Sequence, residues 1–178
     1  EQDARTWFAR ATWANHRDED RVAARCLWEC LNRDPNHLAA NLQLAQSLDR
    51  LGRSDQANHF RRRAAELSEL VTLLRGLAGD PRYGEARTEQ RVQRLVELNR
   101  KMGRIWEAAA WSMFVLRNNQ DIQWPKKHLE DLRPYIEKEG TPRTIKLFTP
   151  VARVDLSDLP APQWALETTG EQPATGPE

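Results

Sequence analysis

Two stretches of the chain share one sequence pattern, and this phrase, as we call it, constrains the fold more than any other feature. Residues 48–57 read LDRLGRSDQA and residues 99–108 read NRKMGRIWEA. In each stretch an amphipathic run ends at Gly-Arg, and an alanine follows five residues after the glycine. Glycine lets a helix end in a left-handed conformation that other residues resist, and alanine lets two helices approach closely. The phrase therefore predicts antiparallel helix pairs joined by glycine turns.

The first phrase has an upstream partner at a distance of 34 residues. Ala57 aligns with Ala23, and Ala64 aligns with Cys30, so that each pair of positions is 34 apart. Within each copy, the two small residues are seven apart on one face of a predicted helix. Ala108 follows Ala57 by 51 residues, which indicates an insertion of 17 residues. A fixed internal period of this length is typical of stacked helical repeats.

Apolar spacing predicts helices over most of the chain. Leu38, Leu42, Ala45 and Leu48 keep the steps of three and four residues that define a helix face. No stretch before Thr141 alternates as a strand would. The predicted helices span about 4–15, 20–31, 37–51, 54–74, 87–102, 105–117 and 125–139.

These spacings resemble the tetratricopeptide repeat family. The second unit, residues 38–71, departs from the family at Arg61, which replaces a large apolar residue, and it lacks the closing proline. The third unit, residues 89–122, departs at Ser112 and Val115. The first unit, residues 4–37, has the early aromatic, the two small positions, the apolar residue between them and the closing proline, namely Trp7, Ala23, Cys30, Leu27 and Pro35.

The resemblance implies an all-α solenoid of antiparallel helix pairs over residues 1–140, followed by an extended C-terminal segment. It also implies a concave groove, lined by the first helix of each pair, that binds a peptide or helix of another protein. Phe8, Leu42 and Gln93 stand where family members that clamp a C-terminal carboxylate have lysine, so we do not expect that ligand. The matching groove residues are Arg5, Phe8, Thr12, Asn15, His16, Leu42, Gln46, Asp49, Arg50, Gln93, Glu97 and Arg100. The alternative is that these residues form a solvated face or are covered by the C-terminal segment.

Residues 141–178 have a different character. They are rich in proline and read as an extended segment or linker, with short extended pieces at 145–148 and 151–156. Their large apolar residues favour docking of residues 144–164 on the helices. These residues are Leu147, Phe148, Val154, Leu159 and Trp164. Because the chain begins at Glu1 rather than Met and ends in a linker-like stretch, the alternative function is that of an accessory domain of a larger enzyme or surface protein.

The chain has seven tryptophans, which is many for 178 residues. Packing in the core explains three of them, Trp7, Trp28 and Trp111. Trp13, Trp124 and Trp164 are the candidates for surface contact with a partner, because tryptophan is enriched at interface hot spots.

Motifs for catalysis or cofactor binding do not occur in the sequence. Cys26 and Cys30 lie on one side of a predicted helix, but a metal site would need two further ligands and no histidine has matching spacing. There is no phosphate-binding glycine loop and no nucleophile elbow. We therefore expect a non-enzymatic protein with no catalytic residue, cofactor or metal.

Charge and hydropathy limit the remaining classes of partner. The net charge of +1 argues against a general binder of polyanions. The run Arg61–Arg63 leaves Arg-mediated nucleic-acid binding as a minor alternative, although such runs usually form a solvated helix face. The longest apolar run, residues 108–116, is about half of the roughly 20 residues that a membrane-spanning helix needs.

Overall fold

A computed structural model describes residues 3–78, 86–139 and 145–160 of the chain. Over these ranges the fold is all-α and contains no strand, as predicted. None of the helices in these ranges has both the length and the apolar character needed to cross a membrane. The described elements are α1 (Ala4–His16), α2 (Asp20–Arg33), α3 (Leu38–Arg50), α4 (Ser54–Ala78), α5 (Ala86–Lys101), α6 (Ile105–Asn118), α7 (Trp124–Glu139) and two single-turn 3₁₀ helices, η1 (Lys146–Phe148) and η2 (Pro150–Ala152).

Most helix ends lie within two residues of the prediction, and larger differences occur in two places. Helix α4 continues past the predicted end at Leu74 to Ala78. The stretches predicted as short extended pieces contain η1 and η2 instead. Pro150 is the first residue of η2, a position where proline's fixed φ suits a helical turn and its missing N–H costs no hydrogen bond.

The chain divides into two compact units. Unit 1 consists of Glu1–Arg61 and Val154–Glu178, and unit 2 consists of Arg62–Arg153. Helix α4 therefore contributes residues 54–61 to unit 1 and its remaining residues to unit 2.

Unit 1 is built from helices that pack in chain order, α1 against α2 and α2 against α3. Small residues let these helices approach closely, and leucines fill the space between them. Each fully buried leucine contributes about 1.5–3 kcal/mol of transfer free energy. The core residues with at most 2% exposure include Ala11, Ala14, Ala23, Ala24, Leu27, Leu31, Ala40, Leu44, Ala45 and Leu48.

Unit 2 is organised around α5, which buries side chains on two faces. One cluster joins α4 to α5 and contains Leu67, Leu70, Leu95, Leu98 and Met102. A second cluster joins α5 to α6 and α7 and contains Val96, Ile105, Ala108, Ala109 and Leu132. Because α5 packs on both sides, it is the central helix of this unit.

The two predicted glycine turns have the same backbone geometry. Gly52 has a φ of 73° and Gly103 a φ of 72°. The Gly52 N–H donates to the carbonyl three residues back at 2.9 Å, and the next N–H donates to the carbonyl five residues back at 2.8 Å. The corresponding distances at Gly103 are 3.0 and 2.9 Å. Both turns are Schellman motifs, which satisfy carbonyls left open at a helix end.

A third turn of the same kind joins α1 to α2, and its left-handed residue is Asp18. Asp18 has a φ of 56°, and its two turn bonds measure 3.2 and 3.0 Å. Aspartate is one of the few residues that enter this region without glycine's freedom. The alanine five residues after each turn, at positions 23, 57 and 108, is fully buried. Three helix pairs therefore share one turn and one close-packing position.

Candidate protein-binding surfaces

Helices α1 and α3 lie side by side in unit 1 and run in the same direction. The ring of Phe8 is 4.5 Å from the ring of His37, the residue that caps the start of α3. Seven residues later in α1, Asn15 Oδ1 accepts a hydrogen bond of 3.1 Å from Arg50 Nη2, at the end of α3. Phe8 lies in the first half of α1 and Asn15 near its end, so the two contacts follow the same order along both helices, as in a parallel pair. The exposed side of this pair is called the α1–α3 surface below.

The middle of the α1–α3 surface is apolar with uncharged polar groups beside it. Leu42 is 47% exposed and Leu38, one turn earlier, is 38% exposed. Phe8 is half-buried, and the hydroxyl of Thr12 donates to its carbonyl at 3.0 Å. Gln46, one turn after Leu42, is exposed. This part of the surface therefore offers apolar area together with amide and hydroxyl groups.

The charged residues at the end of α3 are already engaged within the chain. Arg50 Nε donates to Asp20 Oδ1 at 2.6 Å, and Asp49 is paired with Arg61. Each such exposed pair is worth only about 0.2–1 kcal/mol, but a charged partner would have to compete with it. Two further predicted residues of this surface, Arg5 and His16, are exposed.

The predicted groove residues of unit 2 lie on α5, beside the chain's own C-terminal segment. Glu97, Arg100 and Lys101 line a cleft of about 330 Å³ together with Phe148 of η1. Gln93, one turn before Glu97, is half-buried. In unit 2, a residue of the segment after α7 thus lies where the sequence predicts a partner.

The three tryptophans predicted for surface contact differ in their environment. Trp13 is 54% exposed, and the Arg17 guanidinium carbon lies 4.6 Å from its ring centroid. Trp124 is half-buried, and its Nε1 donates to Glu89 Oε1 at 3.2 Å. Trp164 lies outside the described residues. The tryptophans predicted for the core are buried or half-buried, namely Trp7, Trp28 and Trp111.

Residues 154–160 pack on the helices of unit 1, and the hydrogen bonds that hold them were not predicted from the sequence. Val154 and Leu159, two of the residues expected to dock, are 4% and 2% exposed, and Leu156 is fully buried. Leu147, also expected to dock, is instead 65% exposed. Trp28 Nε1 donates to the carbonyl of Val154 at 3.0 Å across a separation of 126 residues. No local pattern can reveal a contact over that distance.

Cys26 and Cys30 lie in the core of unit 1. Both side chains are fully buried, and burial raises the pKa of each thiol to about 12. Protonated thiols are poor nucleophiles and poor metal ligands at neutral pH. Within the described ranges, no three side chains of His, Cys, Asp or Glu come together as a metal site.

The arginine run of α4 does not form one solvated face. Arg61 holds the ion pair described above, and Arg62 is exposed. Arg63 is 2% exposed and donates to the carbonyls of Lys101 and Met102 at 2.8 and 2.7 Å. Burial lowers the pKa of Arg63 to about 10, so it stays charged at neutral pH. The three guanidinium groups therefore have three different surroundings.

No protein-family model matches the chain, and no curated protein sequence or solved structure is significantly similar to it. The resemblance to tetratricopeptide repeats thus depends on the residues and turns described above.

Proposed function

We propose that the chain is a tetratricopeptide-like helical-repeat module that binds a segment of another protein on the α1–α3 surface and catalyses no reaction. One observation carries this proposal, the recurrence of the same helix-pair turn at Asp18, Gly52 and Gly103 with φ values of 56°, 73° and 72°. In stacked helix pairs the first helices line up on one face, which commonly serves to bind peptides. The parallel arrangement of α1 and α3 supports this reading for unit 1.

The chemistry of the α1–α3 surface favours an amphipathic segment with few charges. Leu38 and Leu42 supply exposed apolar area, while Gln46 supplies an amide for hydrogen bonding. Asp49 and Arg50 are held in ion pairs within the chain. A partner gains most by burying apolar side chains against the leucines and by bonding to the amide.

Two other functions from the sequence have different support. An accessory domain of a larger enzyme or surface protein could use the same α1–α3 surface, so this alternative concerns the context of the site rather than its chemistry. Nucleic-acid binding through the arginine run has less support, because Arg61 is paired and Arg63 is buried against carbonyls.

The test is selection from a random peptide library with the immobilised chain. We expect enriched peptides to bind the wild-type chain and to lose at least about tenfold in affinity on Leu42→Glu, because a carboxylate would have to be desolvated in an apolar contact. Met113→Glu is the matched control, since Met113 is an apolar residue of α6 with 55% exposure. We expect the control to bind as the wild type does.

Circular dichroism would show that both variants retain the helical fold. Failure to enrich any peptide would refute binding by this surface. Peptides that bind Leu42→Glu as well as wild type, or that are lost with Met113→Glu, would place binding elsewhere.

A further inference from the structure

We propose that unit 1 carries a second binding site, which takes an acidic, leucine-bearing segment of a partner protein, extended at its start and ending in a turn, in competition with the chain's own residues 154–160. The site consists of side chains of α2 and of the residue before α4, namely Arg21, Arg25, Trp28 and Arg53. It is called the α2–α4 site, and residues 154–160 are called the cis segment. The site is separate from the α1–α3 surface.

The α2–α4 site recognises backbone carbonyls through side chains. Trp28 Nε1 donates to the carbonyl of Val154 at 3.0 Å. Arg25 Nη1 donates to the carbonyls of Ser157 and Leu159 at 3.2 and 3.1 Å. The Leu159 N–H donates to the carbonyl of Leu156 at 3.1 Å, so the segment turns after Leu156. Every peptide offers carbonyls, so the bonds from Trp28 and Arg25 recognise this backbone conformation rather than one particular sequence.

Apolar anchors of the cis segment supply the first element of specificity. Val154, Leu156 and Leu159 are 4%, 0% and 2% exposed. The residues between them are exposed. A ligand of this site therefore needs large apolar residues at the first, third and sixth positions.

Charge supplies the second element of specificity. The cis segment contains Asp155 and Asp158 and no basic residue. The two Nη atoms of Arg53 donate hydrogen bonds to the two carboxylate oxygens of Asp158, one of them at 3.1 Å. This bidentate geometry selects for carboxylates. Arg53 and, more weakly, Arg21 lower the pKa of Asp158. An acidic residue next to the last anchor therefore matches the site.

The α2 side of the site is held in place without help from the cis segment. Glu29 Oε1 accepts hydrogen bonds of 3.2 Å from Nε and Nη2 of Arg25. The same guanidinium lies 5.3 Å from the ring centroid of Trp28. Since these contacts lie within one helix, the arginine and the tryptophan keep their positions when the cis segment leaves. Preorganisation of this kind lowers the cost of binding a new ligand.

The cis segment acts as a tethered competitor. A short tether gives an effective concentration on the order of 1 mM. A cis segment with an intrinsic Kd of about 0.1 mM for the site would then make a free segment bind about tenfold more weakly to the wild-type chain than to a chain with an empty site. A partner with a better match at the three anchors overcomes this competition.

The experiment uses full-length chains and a fluorescent peptide with the sequence of residues 152–160. Two variants weaken the cis segment, Asp158→Lys and the double substitution Leu156→Ser with Leu159→Ser. We expect at least one of them to bind the peptide saturably and about tenfold more tightly than wild type does. Binding should weaken as salt is added. Leu42→Glu, introduced as a further change, should leave peptide binding unchanged, which separates this site from the α1–α3 surface.

A charge exchange provides the specificity control. The variant Arg53→Glu should lose the wild-type peptide and should bind a peptide that carries Asp158→Lys. Failure of both weakened variants to bind at millimolar peptide, while circular dichroism shows them folded, would overturn the proposal. A wild-type dimer that becomes monomeric on Asp158→Lys would show that a second copy supplies the segment, and would overturn the assignment to a partner protein.

Discussion

The two described halves of the C-terminal segment, residues 145–153 in unit 2 and residues 154–160 in unit 1, are held in different ways. In unit 2 the Ile145 N–H donates to the carbonyl of Gly103 at 2.8 Å. A buried arginine, Arg63, also donates to the carbonyl of Phe148 at 3.3 Å. The contacts that hold this half are therefore made to backbone atoms and by a buried cation.

In unit 1 the segment is held by the buried side chains of Val154, Leu156 and Leu159 and by an ion pair at the surface. Arg53 pairs with Asp158, and the two side chains are 29% and 54% exposed. Exposed ion pairs are weak and are screened by salt, whereas bonds made by a buried charge are costly to break. The comparison teaches that the first half is held by a backbone hydrogen bond and a buried charge, whereas the second half is held by apolar side chains and a surface ion pair, which a segment of matching sequence can also supply.

The largest expected effect comes from Gly103→Ala, with Gly52→Ala as its matched control. Both glycines have a φ near 73°, so both substitutions incur the left-handed strain of about 1–2 kcal/mol. A Cβ at position 52 meets nothing within 4 Å, but a Cβ at position 103 overlaps the carbonyl oxygen of Ile145 and lies 2.9 Å from its nitrogen. We expect Gly103→Ala to cost about 3–5 kcal/mol in urea unfolding. Equal costs for the two variants would contradict the close approach of Ile145.

The next effect concerns Arg63. Arg63→Ala removes donors from the carbonyls of Lys101 and Met102, and each buried acceptor left without a partner costs about 1–3 kcal/mol. We expect a loss of about 2–4 kcal/mol in the free energy of unfolding, again by urea titration. Arg53→Ala, which removes an exposed guanidinium, should cost much less. A larger loss of unfolding free energy for Arg53→Ala than for Arg63→Ala would contradict the conclusion that the buried arginine holds its half of the segment more strongly.

A smaller effect should appear in the pH dependence of the unit 1 contact. Arg53 lowers the pKa of Asp158 below its usual value of 3.8. The contact is therefore fully present above pH 3.8 and is lost as the pH falls through the lowered folded pKa. An NMR titration of the Asp158 carboxyl carbon should show the lowered pKa in the wild type. Arg53→Ala should return this pKa toward the usual value. An unchanged titration midpoint of Asp158 in this variant would show that Arg53 does not lower the pKa.

The last effect is absent at neutral pH and appears only in alkaline solution, and it concerns the two buried thiols of unit 1. Burial raises the pKa of Cys26 and Cys30 from 9.0 to about 12, so the thiolate fraction at pH 8 falls about 1000-fold. Labelling by a disulfide reagent should be slower than for a free thiol by at least that factor. Above pH 9 the unfolded state loses these protons first, so stability should fall as the pH rises. Fast labelling of folded chain would contradict the burial.

Local patterns predicted the helices and two of the three turns, because amphipathic spacing and glycine are local signals. The turn at Asp18 was not predicted, because an acidic residue before α2 is explained locally by a favourable interaction with the helix dipole. Only alignment at the 34-residue period, which places Asp18 opposite Gly52, indicates the turn. The engagement of Arg50 and Asp49 was also missed. Their partners, Asp20 and Arg61, lie 30 and 12 residues away, and only the packed helices bring them together. The α2–α4 site was hidden for the same reason.

Arg63 can also be described in the terms of coordination chemistry. The carbonyl oxygens of Lys101, Met102 and Phe148 converge on its guanidinium group at 2.8, 2.7 and 3.3 Å, much as backbone ligands surround a bound cation. Here the cation is covalently part of the chain, so no chelator can remove it and no metal supply limits it. Only a mutation of Arg63 can remove the cation from this site. Millimolar guanidinium added to Arg63→Ala should therefore restore part of the lost stability, as a metal ion restores an apo-site.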